Sequence, residues 1–467
     1  MNPIPVCAIF DIGKTNKKLF LFDEQYQIVW EKSMQFPETI DEDGDACEDV
    51  NLLQSWVLES WNEVLGLDSF VVKALNFSTY GASFVYVNEE GNILTPLYNY
   101  LKAYSAELQK QFYDTYGGEE EFAVRTASPV LGSLNSGMQI YRLKYEKPEI
   151  FEQVKYCLHL PQFLHSLFTK KYYSDITSIG CHTNLWDFRV QKYHEWTSRE
   201  KIETKLPTLF YSDEVVKLAN EDKAVSVGVG LHDSSSALIP YLINFQEPFI
   251  LLSTGTWSIT LNPFNDIPLT FEELQYDCLC YMHYQGKPVK ASRLFSGYEH
   301  EIQTKHIAQH FGVENDFFKT VAYDAQIIDR LKNAQSPSVS EEDNKYELLK
   351  SSLFEHRALA DYSSVEEAYH QLMLDIMTQQ LISTELVLHN YPVKRVFVDG
   401  GFSKNPIFMN LLAAAFPELE VFAASMAQAS SLGAALAIHK HWNSKALPGD
   451  LIDLKFYACQ PTLLPKS

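Results

Sequence analysis

The sequence predicts an α/β protein of two domains with a cleft between them. The chain of 467 residues is longer than one hydrophobic core ordinarily serves. Strand-like and helix-like segments alternate along it, and the order of strand, Gly/Thr turn and strand near the amino terminus returns after residue 245. The composition, with 46% apolar and 21% charged residues, is that of an ordinary globular protein. We therefore expect domains at 1–245 and 246–467.

The first domain begins with three predicted strands and a helix. Apolar, β-favouring runs at 6–10, 19–22 and 28–30 are separated by Gly, Asn and Asp, which is typical of antiparallel strands. Residues 52–65 place apolar side chains at helical spacing, and "FVVKALNFSTYG" is typical of a further strand. The segment "PEIFEQVKYCLHLPQFLHSLFT" predicts a helical insertion.

The second domain repeats this beginning and ends in alternating strands and helices. "PFILLSTGTWSITLNPF" predicts two strands joined by a small polar turn. An amphipathic helix over 365–390 follows. Strand, helix, strand and helix are then predicted in turn by "VKRVFVDGG", "NPIFMNLLAAAF", "LEVFAAS" and "QASSLGAALAIHKH". We interpret "NAQSPSVSEEDNKYE" as a mobile surface loop.

Charge and composition restrict the partners and the cofactor. The 38 Lys and Arg residues and 60 Asp and Glu residues give a net charge of −22, which argues against nucleic acid or an anionic membrane as the main partner. Lysines, backbone amides and a divalent cation can still neutralise a small anion locally, so Mg²⁺ is the expected cofactor. Because the sequence has no run of eighteen apolar residues and no secretory signal, we expect a cytoplasmic location. The seven scattered cysteines lack the spacing of a zinc site, which predicts reduced thiols.

Three Gly-bearing turns follow apolar strands and are candidate phosphate sites: "FDIGKTNKK", "LSTGTWS" and "FVDGGFSKN". In the first turn Gly13 lets the backbone approach an anion, and Asp11 can hold a metal ion or its water. The donors there are Lys14, Thr15, Asn16 and Lys18. A solvated hairpin tip explains the first turn equally well, and a turn with positive φ explains Gly400 and Gly401.

The three turns together favour a nucleotide clamp formed by two domains. No P-loop and no dinucleotide fingerprint is present in the sequence. Two of the turns open the two halves of the chain, and the third precedes a helix that Ser403 or Asn405 could cap.

The stretch "GLHDSSSA" places Asp233 directly before three hydroxyl residues. An Asp in such a position commonly caps a helix. In a cleft it can also accept the proton of an attacking sugar hydroxyl, which is the proton transfer that a phosphoryl-transfer site needs. The two roles are compatible at the start of a helix.

The stretches "DIGKTNKK", "GLHDSSSA", "STGTWSIT" and "VDGGFSKNPIFMNLLAAAF", followed by "ASSLGAAL", resemble the FGGY carbohydrate kinases. The similarity is greatest to the branch that contains rhamnulokinase and fuculokinase, and it extends from about residue 6 to residue 439. It implies two α/β domains of the actin-like, Hsp70-like (ribonuclease H-like) ATPase fold, with a cleft between them.

The resemblance also implies a role for each matching residue. Asp11 would lie near the metal, and Asp233 would be the general base. The ATP phosphates would be met by Gly13, Thr15, Asn16 and Lys18 from one domain and by Thr254, Gly255 and Thr256 from the other. Gly400, Gly401 and Asn405 would lie at the adenosine. The substrate-binding residues would be Thr79, Tyr80, Gly81 and His232, together with Asp233.

Two places depart from the family pattern. Lys14 stands where a small hydroxyl residue is usual, so it either adds a phosphate contact or points to solvent. In "YNYLKAYS", Leu101 and Lys102 replace the charged pair expected to face the sugar, which leaves the identity of the sugar open.

We therefore predict an ATP- and Mg²⁺-dependent kinase of carbohydrate catabolism that phosphorylates a ketose, either a rhamnulose-like or fuculose-like deoxyhexulose or a pentulose. One alternative is a kinase of the same fold that acts on a polyol such as glycerol. Another is a catalytically silent sensor of sugar or nucleotide. The expected partners are a sugar and ATP, with no nucleic acid and no membrane, and a homodimer is left open.

Overall fold

The structure is a computed structural model that describes residues 2–220, 223–334, 345–388, 391–426 and 428–458. Its strands are, in chain order, β1 (Ile4–Ile12), β2 (Lys17–Asp23), β3 (Ile28–Met34), β4 (Thr39–Ile40), β5 (Ala46–Cys47), β6 (Phe70–Thr79), β7 (Phe84–Val87), β8 (Tyr156–His159), β9 (Ser174–Asp175), β10 (Trp186–Asp187), β11 (Lys192–Tyr193), β12 (Leu209–Phe210), β13 (Val215–Asn220), β14 (Lys223–Gly228), β15 (Leu231–His232), β16 (Phe249–Thr254), β17 (Ser258–Asn262), β18 (Cys278–Met282), β19 (Pro288–Leu294), β20 (Arg395–Gly400), β21 (Glu420–Ser425) and β22 (Asp453–Tyr457). Its α-helices are α1 (Val50–Leu65), α2 (Ala106–Thr115), α3 (Glu119–Thr126), α4 (Ser136–Glu146), α5 (Pro148–Gln153), α6 (Leu160–Thr169), α7 (Ile176–Ile179), α8 (Glu195–Arg199), α9 (Asp233–Asn244), α10 (Phe271–Gln275), α11 (Ser296–Phe311), α12 (Ala325–Ala334), α13 (Val365–Leu388), α14 (Pro406–Ala415) and α15 (Ala429–Ala437).

The first domain is built on a sheet with the strand order β13-β14-β6-β1-β2-β3, and β15 also pairs with β6. The central strand β1 is antiparallel to β2 and parallel to β6. Val6 and Phe10 pack with α1 and α6 on one face, whereas Cys7 and Ile9 pack with α15 on the other. Burial on both faces explains why this strand is a continuous apolar run in the sequence.

The second domain repeats this arrangement in a sheet with the order β18-β19-β17-β16-β20-β21-β22. The hairpin β16–β17 corresponds to the hairpin β1–β2, and β16 is parallel to β20 as β1 is parallel to β6. The outer strands also match, since β19 is antiparallel to β17 and β22 is antiparallel to β21. The predicted restart of the chain is therefore visible as a repeated strand order.

The helical insertion predicted over 148–169 is confirmed only in part, because it forms two helices with a strand between them. The strand β8 separates α5 from α6 and pairs antiparallel with β7. Pro161 occupies the first turn of α6, and a proline is accepted at the start of a helix but not in its interior. The amide of Lys155 donates to the Val87 carbonyl, which fixes the chain at the entry to β8.

Three further predictions have mixed outcomes. The helix predicted over 365–390 is α13, and residues 389–390 lie outside the described residues. It is buried on nearly every side rather than amphipathic, because it lies between β17, β19, α11 and α14.

Of the predicted loop over 333–347, residues 335–344 lie outside the described residues. The free, buried thiols are Cys7, Cys47, Cys157, Cys181, Cys278 and Cys280, and Cys459 falls outside the described part of the chain.

Within the described ranges, the helices are too short or too polar for any of them to cross a membrane.

Candidate active site

Asp11 and Asp233 lie at the same edge of the first sheet, on either side of β6. Asp11 pairs with Ser78 from one side, and Leu231 pairs with Ser78 from the other. Asp233 follows β15 directly. Because neighbouring strands are about 4.8 Å apart, β1 and β15 lie about 10 Å apart across the end of β6. The end of β6 leads into the predicted sugar segment, so the structure brings both acids to that segment.

The Asp11 carboxylate is held by the second domain. Its Oδ2 accepts hydrogen bonds from Ser431 Oγ at 2.5 Å and from Ser430 Oγ at 2.7 Å, both at the start of α15. Burial raises the pKa of Asp11, the two serine hydrogen bonds oppose the rise, and the nearby Asp233 carboxylate adds to it. The carboxylate is thus placed where α15 of the second domain meets β1 of the first.

Asp233 is the first residue of α9, and the residue at the N-cap position is His232. The alternative interpretation of Asp233 as the cap is therefore wrong by one position. Asp233 Oδ1 accepts hydrogen bonds from the Ser234 amide at 2.6 Å and from Ser234 Oγ at 3.3 Å. Its side chain is 39% exposed, and no hydrogen bond to Oδ2 is formed by the described residues. One carboxylate oxygen is therefore free to meet a ligand.

The first phosphate turn is held together by a lysine that the sequence analysis did not single out. The Gly13 amide donates to the Asn16 carbonyl at 2.9 Å, which closes the turn. The buried Lys17 ammonium donates to the carbonyl groups of Gly13 at 3.1 Å and Lys14 at 2.8 Å. Lys17 therefore fixes the main chain of the turn from below.

The polar side chains of this turn face different surroundings. Thr15 and Asn16 are exposed, and Asn16 Oδ1 accepts a hydrogen bond from Gln35 at 2.8 Å. Lys18 Nζ reaches across to the second domain and donates to Gln428 Oε1 at 3.3 Å. Of the predicted donors, Thr15 is thus open to a ligand, whereas Lys18 links the two domains beside Asp11.

Lys14 does not simply point to solvent, which was one of its two predicted alternatives. Its ammonium donates to Glu48 Oε1 at 3.1 Å and lies 3.5 Å from Glu38 Oε1. It also lies 5.9 Å from the centre of the Tyr100 ring. Glu48 had no distinguishing pattern in the sequence, since it is more than thirty residues away from the turn that it contacts.

The predicted sugar segment lies against His232. Gly81 approaches this imidazole so closely that a Cβ on it would fall 2.5 Å from Nε2, so only glycine fits there without a shift. Nε2 also lies 3.3 Å from Cys181 Sγ, and among the described residues Nδ1 has no hydrogen-bond partner. Burial lowers the pKa of His232, opposed by Asp233, which favours the neutral imidazole.

Thr79 and Tyr80 complete this segment. Thr79 is fully buried, and its hydroxyl donates to the Tyr80 carbonyl at 2.8 Å. The Tyr80 hydroxyl donates to Glu48 Oε1 at 2.7 Å. The two side chains therefore support the shape of the segment from within the protein.

The structure changes the interpretation of Leu101 and Lys102. Leu101 is exposed, and the buried Lys102 ammonium forms ion pairs with Asp41, Asp43 and Asp45. Lys102 therefore does not take the place of a sugar-facing group.

The neighbouring Tyr100 is the member of this segment that lies towards the catalytic side. Burial raises its pKa, the Lys14 ammonium opposes the rise, and the Asp233 carboxylate adds to it. Its ring lies 6.0 Å from that of Tyr80. Tyr100 was not predicted, because the motif in this segment concerns only Leu101 and Lys102.

The second and third turns form one unit in the second domain. Thr254 Oγ1 donates to the Asp399 carbonyl at 2.5 Å and accepts from the Phe402 amide at 2.9 Å. The Thr254 carbonyl accepts from the Gly401 amide at 2.8 Å. Gly400 has φ +87°, and a Cβ on it would lie 1.9 Å from the Thr254 carbonyl oxygen. The interpretation as a turn with positive φ is therefore correct for Gly400 and wrong for Gly401, whose φ is −65°. Both glycines are exposed.

The remaining predicted residues of this unit flank it. The Gly255 amide donates to the Trp257 carbonyl at 2.9 Å, and Thr256 is exposed. Asn405 caps α14, because its Oδ1 accepts from the amides of Ile407 at 2.9 Å and Phe408 at 3.1 Å. The predicted cap at Asn405 is confirmed.

Asn405 also organises a polar cluster behind the two glycines. Its Nδ2 donates to the Tyr369 hydroxyl at 2.6 Å, and His300 Nε2 lies 2.9 Å from the same hydroxyl. Burial lowers the pKa of His300 to about 4, so the imidazole is neutral near pH 7. This cluster fixes Asn405 beside the Gly400–Gly401 turn.

The helices α9 and α15 connect the two groups of site residues. A Cβ on Gly433 would lie 1.8 Å from the Ser236 carbonyl oxygen, so the helices touch backbone to backbone. Ser236 Oγ donates to the Ser430 carbonyl at 2.7 Å. Gly433 is thus the point of close contact between α15 and α9. This helix contact places the start of α15 against Asp11, and it places the start of α9 beside the start of α15.

The acidic residues fit a magnesium–nucleotide complex. Magnesium is usually held by one or two carboxylates together with the phosphates of the substrate. Asp11 keeps Oδ1 clear of hydrogen bonds from the described residues, while its Oδ2 is fixed by the serines. In the described part of the chain, no group of three or more His, Cys, Asp or Glu could hold a metal. A metal at Asp11 would therefore depend on phosphate ligands.

Family models match almost the whole chain. Residues 6–239 match the N-terminal domain of the FGGY family of carbohydrate kinases, and residues 246–446 match the carbohydrate kinase FGGY C-terminal domain. The chain belongs to the FGGY family of carbohydrate kinases. The resemblance seen in the sequence motifs is thereby confirmed.

Curated relatives of this FGGY protein include two rhamnulokinases. The rhamnulokinase of Halalkalibacterium halodurans is 25% identical over 266 residues, which are 53% of this chain and 54% of that protein. The rhamnulokinase of Yersinia pestis is 21% identical over 280 residues, which are 57% and 55% of the two chains. The match thus spans about half the length of these curated relatives.

Solved structures of similar fold cover nearly the whole chain. A carbohydrate kinase from Novosphingobium aromaticivorans has a TM-score of 0.78 at 19% identity and covers 98% of this chain and 95% of its own. The xylulose kinase from Lactobacillus acidophilus has a TM-score of 0.74 at 16% identity, with 98% and 94% covered. These likenesses concern the fold, and they confirm the predicted actin-like α/β architecture of two domains.

Proposed function

We propose that this FGGY protein transfers the terminal phosphoryl group of ATP to a hydroxyl of a ketose. The observation that carries the proposal is the placement of Asp11 and Asp233 on either side of the end of β6, where the sugar segment begins. A kinase of this kind needs a carboxylate for the metal, another for the hydroxyl proton, and an acceptor between them.

Asp233 acts as the general base in this proposal. Its exposed carboxylate keeps one oxygen fixed by Ser234 and offers the other to the attacking hydroxyl. The proton passes from that hydroxyl to Asp233 as the oxygen attacks the terminal phosphorus and the bond to the leaving ADP oxygen breaks. We also assign His232 to the substrate, since its Nε2 lies 3.6 Å from Asp233 Oδ1.

The phosphates are held from both domains. Gly13, Thr15, Asn16 and Lys18, with Lys14 beside them, face the phosphates from the first turn, and Thr254, Gly255 and Thr256 do so from the second. Gly400, Gly401 and Asn405 support the adenosine. Backbone amides and hydroxyls at these turns stabilise negative charge, and closure of the cleft excludes water that would otherwise hydrolyse ATP.

Mg²⁺ would be bound at Asp11 together with the phosphates. When bound, it supplies positive charge that offsets the charge developing on the transferred group. Ser430 and Ser431 hold Asp11 in the orientation that this role requires.

The acceptor we favour is a deoxyhexulose of the rhamnulose type, since the curated relatives are named rhamnulokinases. A pentulose is the second candidate, because a xylulose kinase shares the fold. A polyol such as glycerol is the third, since a glycerol kinase from Plasmodium falciparum has a TM-score of 0.70. A catalytically silent sensor is disfavoured by the presence of both Asp11 and Asp233. The domain boundary at 245/246, the cytoplasmic location and the homodimer stay predictions.

ADP formation with a panel of acceptors tests the proposal. Rhamnulose, fuculose, xylulose, ribulose and glycerol are each offered with MgATP, and ADP release is measured with and without acceptor. We expect a ketose to raise ADP formation well above the rate without acceptor, because the closed cleft excludes water as the alternative acceptor. Stimulation by glycerol alone would indicate a polyol kinase, and no stimulation by any acceptor would contradict the proposal.

A further inference from the structure

Glu48 lies outside the residues assigned above, yet its carboxylate touches both the phosphate turn and the sugar segment. Oε1 accepts hydrogen bonds from the Tyr80 hydroxyl at 2.7 Å and from Lys14 Nζ at 3.1 Å. Oε2 lies 2.8 Å from Lys17 Nζ. The Glu48 side chain is only 8% exposed, so these contacts are largely shielded from solvent.

The two partners Lys17 and Tyr80 connect Glu48 to different parts of the site. Lys17 connects Glu48 to the main chain of the phosphate turn, because the same ammonium donates to the carbonyl groups of Gly13 and Lys14. Tyr80 connects Glu48 to the sugar segment, since Tyr80 directly precedes Gly81, and Gly81 lies against His232. The two walls of the site therefore meet at one carboxylate.

The main chain of Glu48 adds a third connection. Its amide donates to the Leu97 carbonyl at 3.2 Å, and the Leu97 amide donates back at 3.3 Å. Leu97 begins the segment that carries Tyr100, whose ring lies beside both Tyr80 and the Lys14 ammonium. Glu48 thus fixes the three chain segments that surround the predicted acceptor position on this side.

We propose that Glu48 is a positioning residue that couples the sugar segment to the phosphate turn. The inference rests on the proposed kinase function. Movement of Tyr80 towards a bound sugar shifts the carboxylate, and the carboxylate moves Lys14 and, through Lys17, the main chain of residues 13–16. A charged carboxylate is required, because a neutral amide in its place cannot hold two ammonium groups.

The first test replaces Glu48 by Gln, which keeps the size and an acceptor for Tyr80 but removes the charge. Glu200→Gln is the matched control. Glu200 has a side chain 9% exposed, pairs with Lys144 and accepts from Tyr116 and Tyr145, all away from the site. We expect Glu48→Gln to lower kcat/KM for both substrates by at least about tenfold, and Glu200→Gln to stay within about twofold of wild type.

Equal losses in the two variants would overturn the proposal, because they would reflect nothing more than a buried ion pair. The same holds if Glu48→Gln raises KM for one substrate alone. Circular dichroism and thermal unfolding of each variant verify that folded protein is compared.

The second test separates positioning from charge balance. Glu48→Gln combined with Lys17→Met removes both members of the most deeply buried pair, and the part-exposed Lys14 keeps Glu38 as its partner. We expect turnover per folded molecule to stay at least about fivefold below wild type. Recovery of wild-type turnover in this double variant would show that Glu48 only neutralises Lys17, and would overturn the proposal.

A binding measurement distinguishes failure of this inference from failure of the proposed function. Calorimetric titration with MgADP needs no acceptor and no turnover. We expect Glu48→Gln to weaken MgADP binding by about tenfold and Glu200→Gln to leave it unchanged. If the wild type forms no ADP with any acceptor, the kinase proposal fails, whereas unchanged MgADP affinity in Glu48→Gln contradicts the role of Glu48.

Discussion

At the scale of single residues, the proposed chemistry depends on the partly exposed carboxylate of Asp233. Asp233→Asn keeps an oxygen for the Ser234 amide, so we expect α9 and the fold to be retained. Without a proton acceptor, turnover with the active sugar falls by at least about a hundredfold, while MgADP affinity changes little. Steady-state kinetics and calorimetry measure the two effects.

Asp324→Asn is the matched control for this substitution. Asp324 also accepts hydrogen bonds from amides at the start of a helix, those of Gln326 and Ile327, but this helix is α12 of the second domain rather than α9. Its variant should keep wild-type turnover. Unchanged turnover in Asp233→Asn as well would remove Asp233 from the mechanism.

The structure assigns Lys102 a different role from the one that the sequence predicted. Its ammonium neutralises the buried Asp41 rather than facing a sugar. We expect Lys102→Met to cost about 3–5 kcal/mol of unfolding free energy, because it leaves a buried carboxylate unpaired, and to leave sugar preference unchanged.

Urea unfolding and the acceptor panel measure both quantities. Lys110→Met, which breaks the exposed pair with Asp114, should cost less than about 1 kcal/mol. A change of preferred sugar in Lys102→Met would return this residue to the substrate site.

At the scale of elements, the contact between α9 and α15 sets the site geometry. A methyl group on Gly433 would meet the Ser236 carbonyl oxygen at 1.8 Å and force the helices apart. We expect Gly433→Ala to cost about 1–3 kcal/mol of stability and to lower turnover by about tenfold or more, since Ser430 and Ser431 move away from Asp11. Thermal unfolding and kinetics test this.

Gly449→Ala provides the comparison, because no atom lies within 4 Å of its added methyl group. Both its stability and its turnover should match the wild type. Wild-type turnover in Gly433→Ala would mean that the helix contact does not position the acids.

The sequence predicted those elements whose pattern is local. The hairpins β1–β2 and β16–β17, the helix α14 and the cap Asn405 all follow from runs of apolar residues, turn residues and capping residues. The strand β8 could not be predicted in this way, because its four residues lie between two helices and acquire their conformation from pairing with β7.

The candidate site residues that lie in sequence motifs could be predicted, whereas those that the fold brings in from distant segments could not. Asp11, Asp233 and the glycines lie in recognisable stretches. Glu48 and Tyr100 reach the site only because the fold brings their segments to the first turn. Lys17 belongs to the stretch "FDIGKTNKK", yet the burial of its side chain depends on the pairing of β2 with β1.

At the scale of the whole molecule, buried neutral histidines predict sensitivity to acid. Burial lowers the pKa of His159 and His182 to about 3 and that of His165 and His194 to about 4. In the unfolded chain each titrates near 6.5. Because the unfolded state binds more protons between these values, stability is complete above about pH 6.5 and is lost as the pH falls towards 4.

Each such histidine removes up to about 1.4 kcal/mol of stability per pH unit in that window. Urea unfolding between pH 7.5 and 5 measures the loss. His159→Gln should flatten the dependence by about one proton, since its ring is fully buried and Gln does not titrate there. An unchanged slope in this variant would contradict the assignment of His159.

The repeated strand order of the two sheets also has a consequence for ancestry. Two halves with the same succession of strands are what duplication and fusion of one gene leave behind. Asp11 is the second-to-last residue of β1 in one half, whereas Gly400 ends β20 in the other, so the two halves differ in the residues at these strand ends. The cleft would then mark the junction of an old fusion, and under the proposed function its two sides would bind different parts of one cosubstrate.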